Sequence, residues 1–393
     1  MGDVATNLVR GPFGGSLKKE IFVSHGHRVY EQQDAIYGNK AVARYFISQD
    51  KFDEMLRFSV SDGDFIVSCS GTIGKIYRMP TNSPSGVINQ ALLKITLDER
   101  ELSPDYFLQY FRRENFQQGI TDDTQGGAIK NLIGMEMFKQ TAIKRPSLAE
   151  QTAIGKFFRT LDELAAATQR KVAGLKQLKA AYLQQMFPQA GERVPRVRFA
   201  GFAGTWEDVN LGDVADFSKG NGYSKGDLIS KGTPIILYGR LYTKYETVID
   251  NVDTFVEPKV KSVVSSGGEV IVPSSGETAE DISRASVVNK QGIILGGDLN
   301  IVKPNETVNP TFLAITISNG SQQKELSRRA QGKSVVHISN SDLKDVLLKL
   351  PAFPEQTAIG NFFRALDTKI AEQTDKAERL KQLKTAYLQK MFV

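Results

Sequence analysis

The chain has 393 residues, a formal net charge of +6, one cysteine (Cys69) and three histidines (His25, His27 and His337). That length predicts two or three domains with sizeable cores. The lone thiol excludes a disulfide framework or a cysteine-built zinc site, and no run approaches the roughly 18 apolar residues of a membrane span. Met1-Gly2-Asp3-Val4 has neither the basic start nor the apolar stretch of a signal peptide, so a reducing, cytoplasmic setting is expected.

Residues 1–146 read as an α+β domain. Phe65-Ile66-Val67, Val87-Ile88 and Ala91-Leu92-Leu93-Lys94-Ile95 are short apolar runs set off by Gly, Asn and Ser, as strands are. Pro104 opens a short helix reaching towards Phe116. From 147 to 187 the pattern changes to one long helix, started by Ser147 with Glu150 three residues on. Leu161, Ala165, Thr168, Val172, Leu175, Tyr182 and Met186 form a narrow apolar seam of coiled-coil type, broken by Lys179, with Leu178 beside it. Residues 188–210 are a Pro- and Gly-rich linker whose Phe199, Phe202 and Trp206 are expected to dock on the domain that follows.

Residues 211–351 read as a second α+β domain, with strands at Val270-Ile271-Val272, Gly292-Ile293-Ile294-Leu295 and Asn300-Ile301-Val302, and a helix from Pro310 to Ile317. Residues 352–393 form a second long helix, with Pro354 in its first turn, where a missing N–H costs nothing. Its seam runs Leu366, Ile370, Gln373, Ala377, Leu380, Tyr387 and Met391; Lys384 breaks it and Leu383 lies beside it. At 1.5 Å per residue each helix would be roughly 57 Å long, a rod rather than a core element.

The second half repeats the first. Residues 150–187 and 355–392 are identical at about 24 of 38 positions, and Lys144-Arg145-Pro146 answers Lys349-Leu350-Pro351. Fainter echoes pair Gly2-Asp3-Val4-Ala5 with Gly212-Asp213-Val214-Ala215 and Gly63-Asp64-Phe65-Ile66-Val67 with Gly268-Glu269-Val270-Ile271-Val272. Two similar seams favour packing against each other. If antiparallel, they would hold two related heads apart by tens of ångströms, a span comparable with one DNA turn of about 34–36 Å.

A catalytic constellation is missing. There is no GxxxxGK[ST] loop and no GxGxxG fingerprint, and the glycines at 11, 14, 15, 220 and 222 fit neither spacing. His25 and His27 would share a strand face but lack a third ligand, so no metal is expected. Glu257-Pro258-Lys259 has a nuclease-like form without its upstream partner. Cys69 reads as a buried structural thiol, and no adenine-methyltransferase tetrapeptide occurs. What remains is binding by a two-headed molecule.

At this point the chain resembles the DNA-specificity subunit of type I restriction-modification enzymes. The resemblance rests on Pro146 with Glu150-Gln151, Pro351 with Glu355-Gln356, and the Leu-Lys-Gln-Leu-Lys…Tyr-Leu-Gln…Met-Phe helix endings. It rests also on Pro195-Arg196-Val197-Arg198-Phe199…Phe202…Trp206 leading into Leu211-Gly212-Asp213-Val214-Ala215, and on Arg10-Gly11-Pro12-Phe13-Gly14 with Ser16-Leu17-Lys18-Lys19. One departure stands out: the first copy has no counterpart of residues 194–211. Either the start lies further upstream, or the first head lacks the strand that opens such domains.

The resemblance implies two pseudo-symmetric target-recognition domains joined by two long antiparallel coiled-coil helices. It implies double-stranded DNA as ligand, two methyltransferase subunits as partners and, in a full complex, two translocase-nuclease subunits; a methylation-only assembly would use the same chain. S-adenosylmethionine, ATP and Mg would serve those partners, and this chain would be non-catalytic. Similar tails suit identical partners on a pseudo-dyad, and dissimilar heads suit an asymmetric bipartite site. A coiled-coil scaffold with two heads for other ligands is the alternative.

Base and phosphate readers are expected on loops and strand ends carrying polar and basic residues. In the first head these are Arg10, Lys18, Lys19, Arg28, Arg44, Thr72, Lys75 and Lys130. In the second they are Lys219, Asn221, Tyr223, Lys225, Arg240, Tyr242, Lys244, Arg284 and Lys333. Partner contacts are expected at the helix starts, at Glu150, Gln151, Phe157, Phe158, Glu355, Gln356, Phe362 and Phe363. The charge is unevenly placed: the heads (1–149 and 211–354) carry about +1 and 0, the helices about +3 and +2. Near-neutral heads gain little from counterion release, so weak DNA binding by the chain alone is expected.

Overall fold

The computed structural model describes residues 1–122, 131–330, 332 and 335–392. It divides into two compact units: unit 1 comprises Met1–Ala167 with Ala377–Val393, and unit 2 comprises Thr168–Lys376. The division falls inside both long helices, Leu148–Gln185 and Phe353–Lys390, not at the helix starts where composition changes. The reason is packing, since each unit's core includes the first half of one helix and the second half of the other.

In unit 1 four antiparallel strands lie in the order Ala5–Arg10, Leu92–Leu97, Phe65–Ser68, Ile76–Arg78. Unit 2 repeats the order with Ala215–Lys219, Leu299–Pro304, Glu269–Pro273 and Ser286–Val288, then adds Val248–Ile249 at the edge. Each unit also has a three-stranded sheet: Phe46–Ile47, His27–Tyr30 and Gly86–Ile88 in unit 1, and Phe255–Val256, Thr233–Ile236 and Ile294–Leu295 in unit 2. Of the apolar runs read from the sequence, those at 65–67, 91–95, 270–272 and 300–302 fall in central strands of the larger sheets, whereas Val87-Ile88 and Ile294-Leu295 are edge strands of the three-stranded ones. Phe65–Ser68 and Glu269–Pro273 are buried on both faces and hence continuous instead of alternating. Pro104–Phe111 and Pro310–Ile317 are the expected short helices; the first stops at Phe111, and Glu114–Gly119 forms a separate helix.

Each long helix is fastened to its own head by a buried glutamine. Gln151 Oε1 accepts from the Ser103 N–H at 2.9 Å, and its Nε2 donates to the carbonyls of Pro146 and Glu101 at 3.0 and 3.3 Å. Gln356 does the same in unit 2, accepting from Asn309 N–H at 2.9 Å and donating to Pro351 and Thr307 at 2.9 and 3.0 Å. One turn on, a Cβ at Gly155 would lie 2.7 Å from Asp105 Cβ and the Tyr106 nitrogen, so the helix can approach the head this closely only with glycine there. Phe158 and Phe363, both fully buried, then complete the cores.

Within each unit the two helix halves run antiparallel. In unit 1 Phe157 meets Tyr387 edge-on at 5.1 Å, and Lys384 Nζ reaches Asp162 Oδ1 at 2.6 Å. In unit 2 Tyr182 meets Phe362 at 5.0 Å, and Lys179 pairs with Asp367, which also accepts from the Thr247 hydroxyl at 2.9 Å. The two lysines that interrupt the apolar seam are therefore its ionic fasteners. Leu178 and Leu383 stay more than two-fifths exposed beside it.

Of the linker, Trp206 is buried, Phe199 packs against Phe362 at 5.7 Å, and Phe202 is half-buried. Glu207–Asn210 pairs with Leu347–Leu350, a two-stranded ladder with no equivalent among the described residues of unit 1.

The glutamine clasp gives a direct test. Gln356→Ala strands a buried N–H and two carbonyls, so urea unfolding should show a loss of about 2 kcal/mol or more. Gln382→Ala, at an exposed position of the same helix, should cost close to nothing. Equal effects would contradict the clasp.

Candidate nucleic-acid interface

The first strand of each head ends at a glycine that no other residue could replace without shifting the backbone. A Cβ at Gly11 would lie 1.8 Å from the Asn89 carbonyl oxygen, and one at Gly220 would lie 1.9 Å from that of Gly296. Gly11 N–H donates to Leu92 and Gly220 N–H to Leu299, both at 2.9 Å, so the chain leaves the two sheets at equivalent points. The loops that follow carry the candidates.

In unit 2 the loop 221–227 is tied to the loop 257–262. Asn221 Nδ2 donates to the Lys261 carbonyl at 2.9 Å, the Tyr223 hydroxyl bonds Ser262, and Lys259 N–H donates to the Tyr223 hydroxyl at 2.7 Å. Lys259 Nζ lies 4.5 Å over the Tyr223 ring and 2.6 Å from Asp227 Oδ1. That lysine, with the Ser224 N–H and hydroxyl, holds the Asp227 carboxyl down to about 2. The result is a stiffened double loop on which Lys219, Lys225, Lys259 and Lys261 are exposed, around a fully exposed Val260. Lys219, Lys225 and Lys261 have no ion pair among the described residues. Lys259 and Lys261 are not among the DNA contacts expected from sequence, because only the Tyr223 and Asn221 bonds bring their loop beside the other.

In unit 1 the corresponding loop carries exposed Lys18 and Lys19 beside exposed Phe13, over which Arg10 lies at 5.9 Å. The register brings more to the same sheet end. Arg10 faces Leu93 and Ser68 faces Leu92, so the turn holding exposed Thr72 and Lys75 leaves the sheet beside the Gly11 loop. In unit 2, Lys219 faces Asn300 and Pro273 faces Leu299, which puts the segment from Ser274 to Arg284 at the equivalent end. Each unit thus has its own polar, cation-bearing rim suited to phosphate and base-edge contacts, with Thr72 beside the lysines of unit 1 and Asn221 beside those of unit 2.

Other candidates have structural duties. Arg28 is ion-paired with Asp34, donates to the Ala41 carbonyl and lies 5.0 Å over Tyr30. Burial, the largest influence on Asp34, raises its carboxyl above the usual range despite that pair. Arg240, with a side chain 8% exposed, is held by Asp253 and Glu246 at 2.6 and 2.7 Å and by the Asn251 carbonyl. Tyr223 is buried, and the Tyr242 hydroxyl donates to Ser275 O at 2.6 Å. Arg28, Arg240, Tyr223 and Tyr242 thus brace loops internally and are withdrawn as direct DNA contacts. Arg44, Lys244 and Arg284 are surface cations neutralised by Glu31, Asp253 and Asp281. Lys130 and Lys333 lie outside the described residues.

The expected partner contacts divide similarly. Gln151, Phe158, Glu355, Gln356 and Phe363 are buried within their own units, so their expected partner role gives way to packing and internal hydrogen bonds. Glu355 is clamped by Arg198 through Nε and Nη2, both at 2.6 Å. Glu150 is exposed, and Phe157 and Phe362 are half-buried between helix halves.

His25 is exposed, whereas His27 is bonded to Ser85 and Gln49 and stacked on Phe52 at 4.0 Å. Among the described residues no group of three or more His, Cys, Asp or Glu could hold a metal, and no helix is long and apolar enough to cross a membrane. Burial pushes the Cys69 thiol up to about 12, so the nucleophilic thiolate is scarce at any working pH. The folded chain should therefore resist an aromatic disulfide reagent at pH 8 and release one thiol only on unfolding. Rapid labelling of the native protein would contradict this placement of Cys69.

The type I restriction modification DNA specificity domain matches this sequence twice, over residues 20–177 and 203–382. The type I restriction enzyme MjaVIII specificity subunit of Methanocaldococcus jannaschii is 20% identical over 339 residues, covering 83% of this chain and 77% of that protein. Among solved structures, the S subunit of the type I restriction-modification system from M. genitalium superposes with a TM-score of 0.63 at 15% identity, covering 100% of this chain and 94% of the other. A second chain, from work on complex assembly and conformational transition of the type I R-M system, gives a TM-score of 0.52 at 16% identity and covers 100% and 96%. These two likenesses concern the fold. The double match over most of the sequence settles membership: this chain belongs to the type I restriction-modification DNA specificity family.

Proposed function

We propose that this DNA-specificity chain reads an asymmetric bipartite site, one half-site per head, and docks two methyltransferase subunits on its duplicated helices. The observation that carries this reading is the contrast between frame and loops. The clasps and helix pairs of the two units correspond residue by residue, and four sheet strands keep the same order. The loops leaving Gly11 and Gly220 share neither length nor sequence. Equivalent frames suit equivalent partners, and unlike loops at the same sheet end suit different base sequences.

In this reading the chain catalyses nothing. Adenine-N6 methylation, and ATP-dependent cleavage where translocase-nuclease subunits join, are partner activities that bring S-adenosylmethionine, ATP and Mg with them in the cytoplasm. The heads have little net charge, and several candidate cations are internally neutralised. The isolated chain is then a weak DNA binder, with affinity completed by partners closing on the duplex.

Expression with its cognate methyltransferase gene, followed by genome-wide mapping of N6-methyladenine, should yield one motif of two different short blocks separated by a fixed unspecified spacer. A palindromic motif, a single block, or no methylation dependent on this gene would sink the proposal. DNA binding by the assembled methyltransferase gives a second measurement. Lys225→Ala with Lys261→Ala should weaken binding and flatten the salt dependence by ~2 in slope if both touch phosphate. Arg240→Ala should chiefly lower stability. An unchanged salt slope in the double variant would remove this loop pair from the interface.

A further inference from the structure

One apolar side chain of unit 2 stands where neither the backbone nor a core asks for it. Val260 is fully exposed, more so than any other large apolar residue among the described ones. It lies at the tip of a β-turn, Lys259-Val260-Lys261-Ser262, closed by the Ser262 N–H donating to the Lys259 carbonyl at 3.0 Å. Turns are ordinarily filled by Gly, Pro, Asn, Asp or Ser, each for a reason of backbone geometry or local hydrogen bonding. A β-branched apolar residue offers neither, and here it covers no apolar surface of its own chain.

The turn is stiff. Before it Val256 is paired with Thr233, and after it the Val263 carbonyl accepts from the Leu295 N–H at 2.8 Å, so residues 257–262 are anchored at both ends. Pro258 fixes one backbone angle on the way in. The Lys259 N–H donates to the hydroxyls of Tyr223 and Ser262 at 2.7 and 3.0 Å, and the Ser262 hydroxyl donates to the Lys259 carbonyl at 2.7 Å. The Lys261 carbonyl accepts from Asn221 Nδ2 at 2.9 Å. Valine itself has a restricted first torsion. Its two methyls are therefore presented in one place, with little motion to freeze when something meets them.

The same double loop carries Lys219, Lys225 and Lys261, exposed and without ion pairs among the described residues. Cations of this kind fix a protein on phosphates but carry no sequence information. Among base edges the apolar group is the C5 methyl of thymine, which projects into the major groove. Minor-groove wedges that unstack bases are Phe, Leu, Ile, Met or Pro, and valine is not of that set. The geometry points to Val260 as a specificity-determining residue that packs its methyls on the C5 methyl of one thymine in the half-site read by unit 2, with Lys225 and Lys261 on phosphates nearby. This assignment rests on the reading of the chain as a DNA-specificity subunit with one half-site per head.

The probe is a duplex carrying the motif mapped by N6-methyladenine sequencing, with a set in which each thymine in turn is replaced by deoxyuridine, which lacks only the methyl. Binding is measured on the methyltransferase assembled with the full chain. One deoxyuridine position in the unit 2 block should weaken binding about fourfold, the worth of one buried methyl-sized group. Val260→Ala should weaken binding to the thymine duplex by a similar factor and make that same position indifferent to deoxyuridine. The salt slope should stay unchanged, unlike that of the Lys225→Ala, Lys261→Ala double variant, and thermal unfolding should match the parent chain because the valine is fully exposed. Two outcomes overturn the assignment: every deoxyuridine duplex binding like its thymine parent, or each sensitive position staying as sensitive in Val260→Ala. Both leave a bipartite motif standing and so remove this contact alone, whereas a chain that directs no methylation removes the DNA reading and the contact together.

Discussion

A buried primary amide holds each long helix to its head, and the rest of each unit is organised around that contact. Gln151 and Gln356 each join three stretches of backbone: the approach to the helix, the loop before the head's short helix, and the residue that caps that short helix. A carboxamide is the group for this, because it accepts and donates at once while remaining neutral. In a dry interior, breaking such a bond leaves polar groups with no solvent to satisfy them. The glycines at 155 and 360 let the helices approach closely enough for the amide to reach. The aromatic layer of Phe158, Tyr106 and Phe392 in unit 1, and of Phe363, Phe312 and Phe187 in unit 2, closes the joint.

That joint separates what must stay constant from what can vary. Helix, clasp and core sheet form a frame repeated in both units. The loops that leave the sheets at Gly11 and Gly220 hang from one end of that frame, and their internal bonds are local. The double loop of unit 2 is braced by Tyr223, Asn221 and the Lys259–Asp227 pair, none of which touches the clasp. Loop sequence can therefore change without disturbing the frame, as a molecule that reads variable DNA targets requires. The helices are the better preserved part of the repeat within this chain, with about 24 of 38 positions identical.

Much of the frame was legible before the structure. A gapless internal repeat, a proline-led helix start and continuous apolar runs are local signals, and they marked the long helices, the central strands and the duplication. Pairing set by the folded backbone was not legible. Arg28 and Arg240 read as loop cations because sequence spacing alone does not show that the fold turns Asp34 and Asp253 onto them. Lys179 and Lys384 read as flaws in the seam until antiparallel pairing set Asp367 and Asp162 opposite them. Gln151, Gln356 and Glu355 read as partner contacts at the helix starts because only the folded chain shows that they are buried in the internal joint, whereas Glu150 stays exposed. Lys259 and Lys261 were missed because their loop is brought beside residues 221–227 only by tertiary hydrogen bonds.

The central claim is that a constant frame presents separately readable loops, one set per half-site. Exchanging residues 221–227 and 257–262 for the corresponding loops of another family member, and mapping the methylated motif in cells with the same methyltransferase, tests it most directly. The account predicts that one block of the motif changes while the other block and the spacer between them stay the same. A change in both blocks, or an unaltered motif from a folded chimaera, would contradict it.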